Sequence, residues 1–149
     1  MKKNSFILLS FFLSAFFLAK QLPEMFVVNV SRSLPRGLYR VSPVPPAVGD
    51  YVVINSDGLP FTVTRSRLLK KIAYGGGEPV YVGRDGLAAG GRLYPRSRDI
   101  GIDYCGRLQE GECVILGDSP RSFDSRYFGP VRIADCVRVV PLVLIDGGP

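Results

Sequence analysis

Residues 113–130 read Cys113-Val114-Ile115-Leu116-Gly117-Asp118-Ser119-Pro120-Arg121-Ser122-Phe123-Asp124-Ser125-Arg126-Tyr127-Phe128-Gly129-Pro130, a short apolar run that passes into a dense polar loop. An apolar run that ends at a Gly-Asp turn is typical of a short buried β-strand. Similar runs occur along the chain at Phe26–Val30, Leu38–Val41, Tyr51–Ile54, Val80–Val82 and Val137–Ile145. Phe61–Ala73 mixes apolar and basic residues, and we interpret it as a further extended element. The turn Gly83-Arg84-Asp85-Gly86 favours a hairpin. The sequence therefore predicts a mostly β fold, a compact sheet or barrel of short strands.

The composition excludes most hydrolytic mechanisms. The chain has 149 residues, which is room for one ordinary domain, and its 17 Gly and 12 Pro favour many turns. It contains no His, which excludes Ser-His-Asp and Cys-His hydrolases and a His general base. With three Cys and no His, a tetrahedral metal site is disfavoured too. We therefore expect neither a metal nor a cofactor.

The net charge of +6 raises the question of nucleic-acid binding. The arginines, however, are scattered from Arg32 to Arg138 and form no dense cluster or stripe interleaved with aromatic residues. We therefore expect no nucleic-acid partner.

The N-terminus has the pattern of a membrane signal. Lys2 and Lys3 precede an almost wholly apolar run, Phe6–Ala19, whose 14 residues would span about 21 Å as a helix, short of the ~30 Å hydrocarbon core. This length favours a cleaved signal peptide, but Phe17 is too large for the position two before a cut after Ala19. We favour a retained anchor, with residues 1–4 as a cytoplasmic basic tail, residues 5–22 as the membrane helix and residues 23–149 exported.

Export changes the interpretation of the cysteines. Cys105, Cys113 and Cys136 would lie in an oxidising space, where one disulfide and one remaining thiol is the simple outcome. The sequence leaves all three pairings open.

A hydrolase without His can activate a serine with a neutral lysine, because burial favours the uncharged amine. The exported region offers only Lys70 and Lys71. In a strand, Lys70 would share a face with Leu68 and Ile72, whereas Lys71 would share one with basic residues. The drier face makes Lys70 the better general base.

Ser31 and Ser33 stand two positions apart, so in an extended segment their side chains point the same way. The turn Leu34-Pro35-Arg36-Gly37 follows and would lift the pair toward a groove. Ser33 could attack a carbonyl, while the Ser31 hydroxyl and the Ser33 N–H could stabilise the oxyanion by about 3 kcal/mol per donor. Two serines before a Pro-Gly turn are also ordinary turn chemistry.

The loop after residue 116 adds polar groups that a solvated loop does not need. Asp124 and Arg126 can pair on one side of the chain, and Ser122 on the same side could hydrogen-bond a buried amine. Three aromatic residues lie among them, at positions 123, 127 and 128.

Three segments in the same order resemble the type I signal peptidases, the membrane-bound Ser–Lys proteases. They are Ser31-Arg32-Ser33-Leu34-Pro35, Leu68-Leu69-Lys70-Lys71-Ile72-Ala73, and the stretch from Gly117 to Arg126. The runs Ser-Leu-Pro-Arg-Gly-Leu-Tyr and Ser-Phe-Asp-Ser-Arg-Tyr-Phe-Gly-Pro-Val look most similar to the TraF-type conjugative-transfer peptidases.

The resemblance implies a role for each matching residue. Ser33 becomes the nucleophile and Lys70 the general base, with Ser31 as the oxyanion-hole side chain. Ser122 would orient the lysine amine, and Asp124 with Arg126 would form a supporting ion pair.

The chain departs from the family pattern at several positions, none of which removes a catalytic group. Leu34 replaces Met, Pro35 comes one residue early, and Ser119-Pro120 replaces Asn-Arg. Lys71 replaces Arg, and Gly75-Gly76-Gly77-Glu78 replaces the usual Pro-Gly-Asp turn.

The resemblance further implies a single-pass protein of the bacterial inner membrane, in contact with lipid, whose periplasmic domain cleaves an exported, pilin-like precursor. Two alternatives stay open: an inactive, membrane-tethered scaffold of a conjugation or export apparatus, and a self-cleaving, repressor-like Ser–Lys protease. The second class is cytoplasmic, and the N-terminal apolar run disfavours it.

Overall fold

A computed structural model of the chain describes residue 14, residues 24–57, residue 59, residues 67–98 and residues 100–145. Antiparallel β-strands make up most of the regular structure in this part. Its strands are β1 Phe26–Asn29, β2 Gly37–Val41, β3 Tyr51–Asn55, β4 Arg67–Tyr74, β5 Pro79–Gly83, β6 Gly86–Ala89, β7 Arg92–Pro95, β8 Tyr104–Arg107, β9 Glu112–Leu116, β10 Val131–Arg132 and β11 Cys136–Leu144. The mostly β prediction is confirmed.

The strands form two sheets. The larger has the order β1-β2-β11-β3-β4-β9-β10, and the smaller has the order β7-β6-β5-β8. The last strand of the chain, β11, lies between β2 and β3, with Val139 opposite Val41 on one side and Tyr51 on the other. The β1–β2 hairpin therefore joins the rest of its sheet through β11.

Buried side chains from alternate positions form the core. On β4, Leu68 and Ile72 pack with Val52, Ile115 and Phe128 in one cluster, whereas Leu69 belongs to another cluster on the opposite face. Burying each such side chain stabilises the fold by roughly 1.5–3 kcal/mol relative to leaving it exposed. The first face of β4 is thus buried along Leu68, Lys70 and Ile72, whereas the second is buried at Leu69 but exposed at Lys71.

The loop after β9 is more ordered than predicted. It contains a one-turn helix, α1 Ser125–Phe128, for which Asp124 is the N-cap residue and accepts a hydrogen bond from the Arg126 N–H. An Asp in extended conformation at this position satisfies one of the N–H groups that a helix start leaves unpaired.

The predicted membrane helix over residues 5–22 lies outside the described residues, apart from residue 14. Within the described ranges, no helix is both long enough and apolar enough to cross a bilayer. The first part of the predicted Phe61–Ala73 element, up to residue 66, also lies outside them.

The predicted disulfide is wrong for this structure, in which Cys105, Cys113 and Cys136 are all free thiols. Cys113 and Cys136 are buried together in the first core cluster, where they pack as small apolar groups. Hydrogen bonding to Cys136, together with burial, raises the pKa of the Cys113 thiol, so that it keeps its proton and is a poor nucleophile. Cys105 is exposed on β8, away from both.

Candidate active site

The connection between β1 and β2 carries Ser31 and Ser33, and Asn29 at the end of β1 shapes it. The buried Asn29 side chain accepts hydrogen bonds from the Ser31 N–H at 3.1 Å and the Ser31 hydroxyl at 2.8 Å. Its Nδ2 lies 3.0 Å from the carbonyl oxygens of both Leu34 and Pro35. One amide side chain therefore bonds both sides of the turn, an arrangement that Asn adopts readily.

Tyr39 on β2 also stabilises this turn. Its side chain is fully buried, and its hydroxyl donates a hydrogen bond to the Pro35 carbonyl at 2.7 Å. Burial raises the pKa of Tyr39 to about 12. The phenol therefore stays protonated, and stays a donor, at any pH the fold meets.

Lys70 enters the site from β4, opposite Val52 of β3. The residue is only 4 % exposed, whereas its neighbour Lys71 is exposed, with Nζ 5.9 Å from the centre of the Tyr51 ring. Strand alternation thus separates the two lysines as the sequence predicts.

The Nζ of Lys70 lies 3.3 Å from the Oγ of Ser33. These residues are 37 positions apart in the chain, so the contact is a product of the sheet topology rather than of local sequence. A neutral amine at this distance accepts a hydroxyl proton directly, whereas an ammonium only donates to the oxygen.

The Ser31 hydroxyl takes part in a short chain of hydrogen bonds. Its Oγ lies 2.8 Å from the Ser33 Oγ and donates to the Asn29 Oδ1. With that proton directed at Asn29, Ser31 accepts from Ser33 in the resting site. To donate to an oxyanion, as predicted, the Ser31 hydroxyl must rotate away from Asn29.

The start of the 117–124 loop lies against the nucleophile. The Asp118 N–H donates to the Ser33 carbonyl at 2.6 Å. A Cβ on Gly117 would lie 2.8 Å from that same carbonyl oxygen and would also collide with the Ser122 side chain. Only glycine lets the strand end and the serine turn approach this closely.

Asp124 and Arg126 form the predicted ion pair, and both are buried. The Arg126 Nε and Nη2 donate to the two carboxylate oxygens at 2.8 and 2.6 Å, and the Gly117 N–H donates to Asp124 at 2.9 Å. Burial alone would lower the pKa of the Arg126 guanidinium, but the hydrogen bonds and charge of Asp124 outweigh it and raise that pKa. Arg126 also donates to the Pro95 carbonyl at the end of β7, which links the loop to the smaller sheet.

Ser122 is buried beside the site, but its predicted hydrogen bond to Lys70 is not formed. Its Oγ makes no hydrogen bond to any described residue, and it lies where a Cβ on Gly117 would be. Its role in orienting the lysine stays a prediction.

Ser33 and Lys70 face a groove of about 940 Å³. Strand β1 forms one wall and residues 67–70 of β4 form another. β1 is the end strand of its sheet, and β4 pairs with β9 only from Lys71 onward. In the described part of the chain, these two strand segments therefore each keep an edge without a neighbouring strand, which suits an extended peptide.

No group of three or more Cys, Asp or Glu residues that could hold a metal ion occurs within the described ranges. The reactive groups that the groove contains are a hydroxyl and a buried amine.

Sequence reasoning missed Asn29 and the Asp118 amide. The signal for Asn29 was available, because a polar side chain ends an apolar strand two positions before Ser31. Nothing in the sequence indicates the Asp118 N–H, since a backbone donor has no residue signature.

Comparisons with known proteins bear on the same residues. A family model described as signal peptidase, peptidase S26, matches residues 2–145. Two Escherichia coli proteins, each named plasmid transfer protein TraF, are 29% identical over 144 residues, covering 78% of this chain and 81% of theirs. A crystal structure of a signal peptidase I from Enterococcus faecalis V583 is 26% identical and covers 66% of this chain and 99% of that one, with a TM-score of 0.43.

Proposed function

Because this chain belongs to the signal peptidase, peptidase S26, family, we propose that it is a serine endopeptidase that cleaves the leader from an exported precursor. One observation carries the proposal. The Lys70 amine, on a residue only 4 % exposed, lies 3.3 Å from the Ser33 hydroxyl. Burial favours the neutral form of an amine, and a neutral amine is the base that this reaction requires.

The proposed reaction has four proton transfers at one nitrogen, two in each of its two stages. Ser33 Oγ attacks the scissile carbonyl carbon as Lys70 Nζ takes its proton. The resulting ammonium returns that proton to the leaving amine as the C–N bond breaks, which leaves an ester on Ser33. Water then attacks the ester with Lys70 as base, and the Ser33 hydroxyl is restored.

The Ser31 hydroxyl is the proposed side-chain donor to the oxyanion. It already lies 2.8 Å from the attacking oxygen, so rotation about one bond turns its proton from Asn29 toward the developing charge. A donor of this kind contributes roughly 3 kcal/mol to the transition state.

The substrate we propose is a pilin-like precursor of a conjugation system, with small residues at and two before the cut. Support comes from the two similar proteins named plasmid transfer protein TraF. The free edges of β1 and β4 suit an extended segment of such a precursor.

We place the protein in the bacterial inner membrane with its catalytic domain in the periplasm. An exposed apolar surface on the β1–β2–β11 part of the larger sheet supports contact with lipid. Val28 on β1 and Val143 on β11 both lie opposite Leu38 of β2, and they are 70 % and 60 % exposed. Ile145, which follows β11, is also exposed. Val143→Glu should reduce vesicle binding, whereas Val48→Glu, at another exposed valine, should not.

The test of the enzymatic proposal is cleavage of a precursor by the full chain and by four variants. Ser33→Ala and Lys70→Arg should lose activity, because the first lacks the nucleophile and arginine cannot act as the base. Lys71→Arg and Ser42→Ala should cut normally, since neither side chain reaches the groove. Activity of the wild type should rise with pH as Lys70 loses its proton.

Two results would contradict the proposal. An active Lys70→Arg variant would mean that the base lies elsewhere. Binding of precursor without cleavage by the wild type, at any pH, would instead favour the inactive scaffold.

A further inference from the structure

The groove that contains Ser33 and Lys70 has a basic lining. Arg32 lies beside the nucleophile, Arg67 begins β4, and Arg121 lies on the loop after β9. All three residues are exposed, and they come from three different walls. No Asp or Glu is among the described residues that line the groove.

The three arginines have no carboxylate partner in the described part of the chain. Other arginines in that part of the chain do form ion pairs: Arg126 with Asp124, Arg132 with Asp135 and Arg138 with Asp50. Asp124 is fully buried and bonded to Arg126, so it offers the groove no free charge. Asp118 follows the strand end next to Ser33 but does not line the groove.

We propose that the groove selects a precursor segment with acidic side chains close to the scissile bond. This inference rests on the proposed peptidase function and names its substrate class. A guanidinium binds a carboxylate through two parallel hydrogen bonds, and a concave site with charges of one sign attracts ligands of the other. Apolar residues such as Val27 and Leu69 line the same groove and offer contacts to the uncharged part of such a segment.

Anionic lipid headgroups offer a similar charge, but the position of the arginines favours a peptide. Arg32 is adjacent in sequence to Ser33, and Arg67 is three residues from Lys70. All three line a concavity that also contains the reacting groups, whereas a bilayer surface contacts projecting side chains.

The experiment compares three peptides that share one cleavage sequence and carry Glu, Gln or Lys at two positions flanking the cut. For the wild type at low salt, kcat/KM should be about three- to tenfold higher for the Glu peptide than for the Gln peptide, the range for one or two exposed ion pairs. The Lys peptide should be poorest. High salt should remove most of the difference, because it screens exposed charges.

Charge-neutral variants identify the residues responsible. Arg32→Gln, Arg67→Gln and Arg121→Gln, singly and combined, should lower kcat/KM for the Glu peptide more than for the Gln peptide, so that the ratio of the two values falls toward one. Arg40→Gln is the matched control, since Arg40 is equally exposed on β2 but does not line the groove.

A binding measurement separates this inference from the proposed function. The Ser33→Ala variant should bind a labelled Glu peptide more tightly than the Gln peptide, whether or not the wild type cleaves either. Equal cleavage of all three peptides would overturn the acidic preference and leave the peptidase standing. Unchanged peptide selectivity in the triple variant, with loss of binding to anionic vesicles, would overturn it in favour of lipid headgroups.

Discussion

Replacing Asp124 by Ala should destabilise the protein far more than its small side chain suggests. The carboxylate is fully buried and accepts hydrogen bonds from Arg126 and from the Gly117 N–H, so its loss leaves a guanidinium that is 3 % exposed without its counter-charge. Breaking a buried pair in this way costs about 3–5 kcal/mol. Domains are stable by about 5–15 kcal/mol, so the variant should lose roughly a fifth or more of its stability.

Urea unfolding followed by circular dichroism measures this loss. With an m-value of about 2 kcal/mol/M, the unfolding midpoint should fall by roughly 2 M. Asp135 provides a matched control, because it pairs with Arg132 at the similar distance of 2.9 Å. The Asp135 side chain is 46 % exposed and the Arg132 side chain is 73 % exposed. Asp135→Ala should leave the midpoint unchanged within error, because water and salt screen an exposed pair.

A double variant tests the cause. Arg126→Met added to Asp124→Ala removes the unpaired charge and should restore much of the lost stability, since an apolar side chain tolerates burial. Two outcomes would show that an unpaired buried guanidinium is not the cause of the instability. In one, Asp124→Ala shifts the midpoint no more than Asp135→Ala does; in the other, the double variant is less stable than Asp124→Ala alone.

Three further predictions concern the site and its supports. Asn29→Ala should lower kcat at least tenfold and cost about 1–3 kcal/mol in unfolding, because the Ser31 N–H and two turn carbonyls lose their partner; unchanged kcat would contradict this. Gly117→Ala should reduce cleavage of any precursor, since its Cβ would displace the Ser33 carbonyl, and fully active protein would refute the steric argument. Partial burial would raise the pKa of Asp50, but the hydrogen bond from the Ala47 N–H and the charge of Arg138, whose Nε lies 2.9 Å away, lower it below its ordinary 3.8. Its contribution to stability is therefore present above pH 3.8 and lost as pH falls through the lowered value. Acid unfolding of Asp50→Asn should therefore be less steep than that of the wild type, and identical curves would argue against it.

The strands that the sequence predicted best are those whose apolar residues dominate. The runs at Tyr51–Ile54 and Val80–Val82 became β3 and β5 because buried strands need little else. By contrast, β7 and β8 were missed. Their residues, Arg92–Pro95 and Tyr104–Arg107, are polar, exposed or small, and both strands lie at the edges of the smaller sheet, where pairing rather than burial holds them.

The site divides in the same way. The sequence predicted correctly that Lys70 and Lys71 lie on opposite faces of β4, because side chains alternate between the two faces of any strand. The contact of Lys70 with Ser33 depends on strand order, which no single segment encodes. The absence of a bond between Ser122 and Lys70 could not be predicted either, since the position of that hydroxyl depends on the conformation of a loop, which alternation does not encode.

The location of β11 has a consequence for how the protein is made. Ser33 precedes β2 and Lys70 belongs to β4, yet β2 and β3 are separated in the sheet by the strand Cys136–Leu144. During synthesis from the N-terminus, both groups are made before the strand that sets the spacing between them. The 3.3 Å contact between Ser33 and Lys70 should therefore form only after residues 136–144 have joined the sheet.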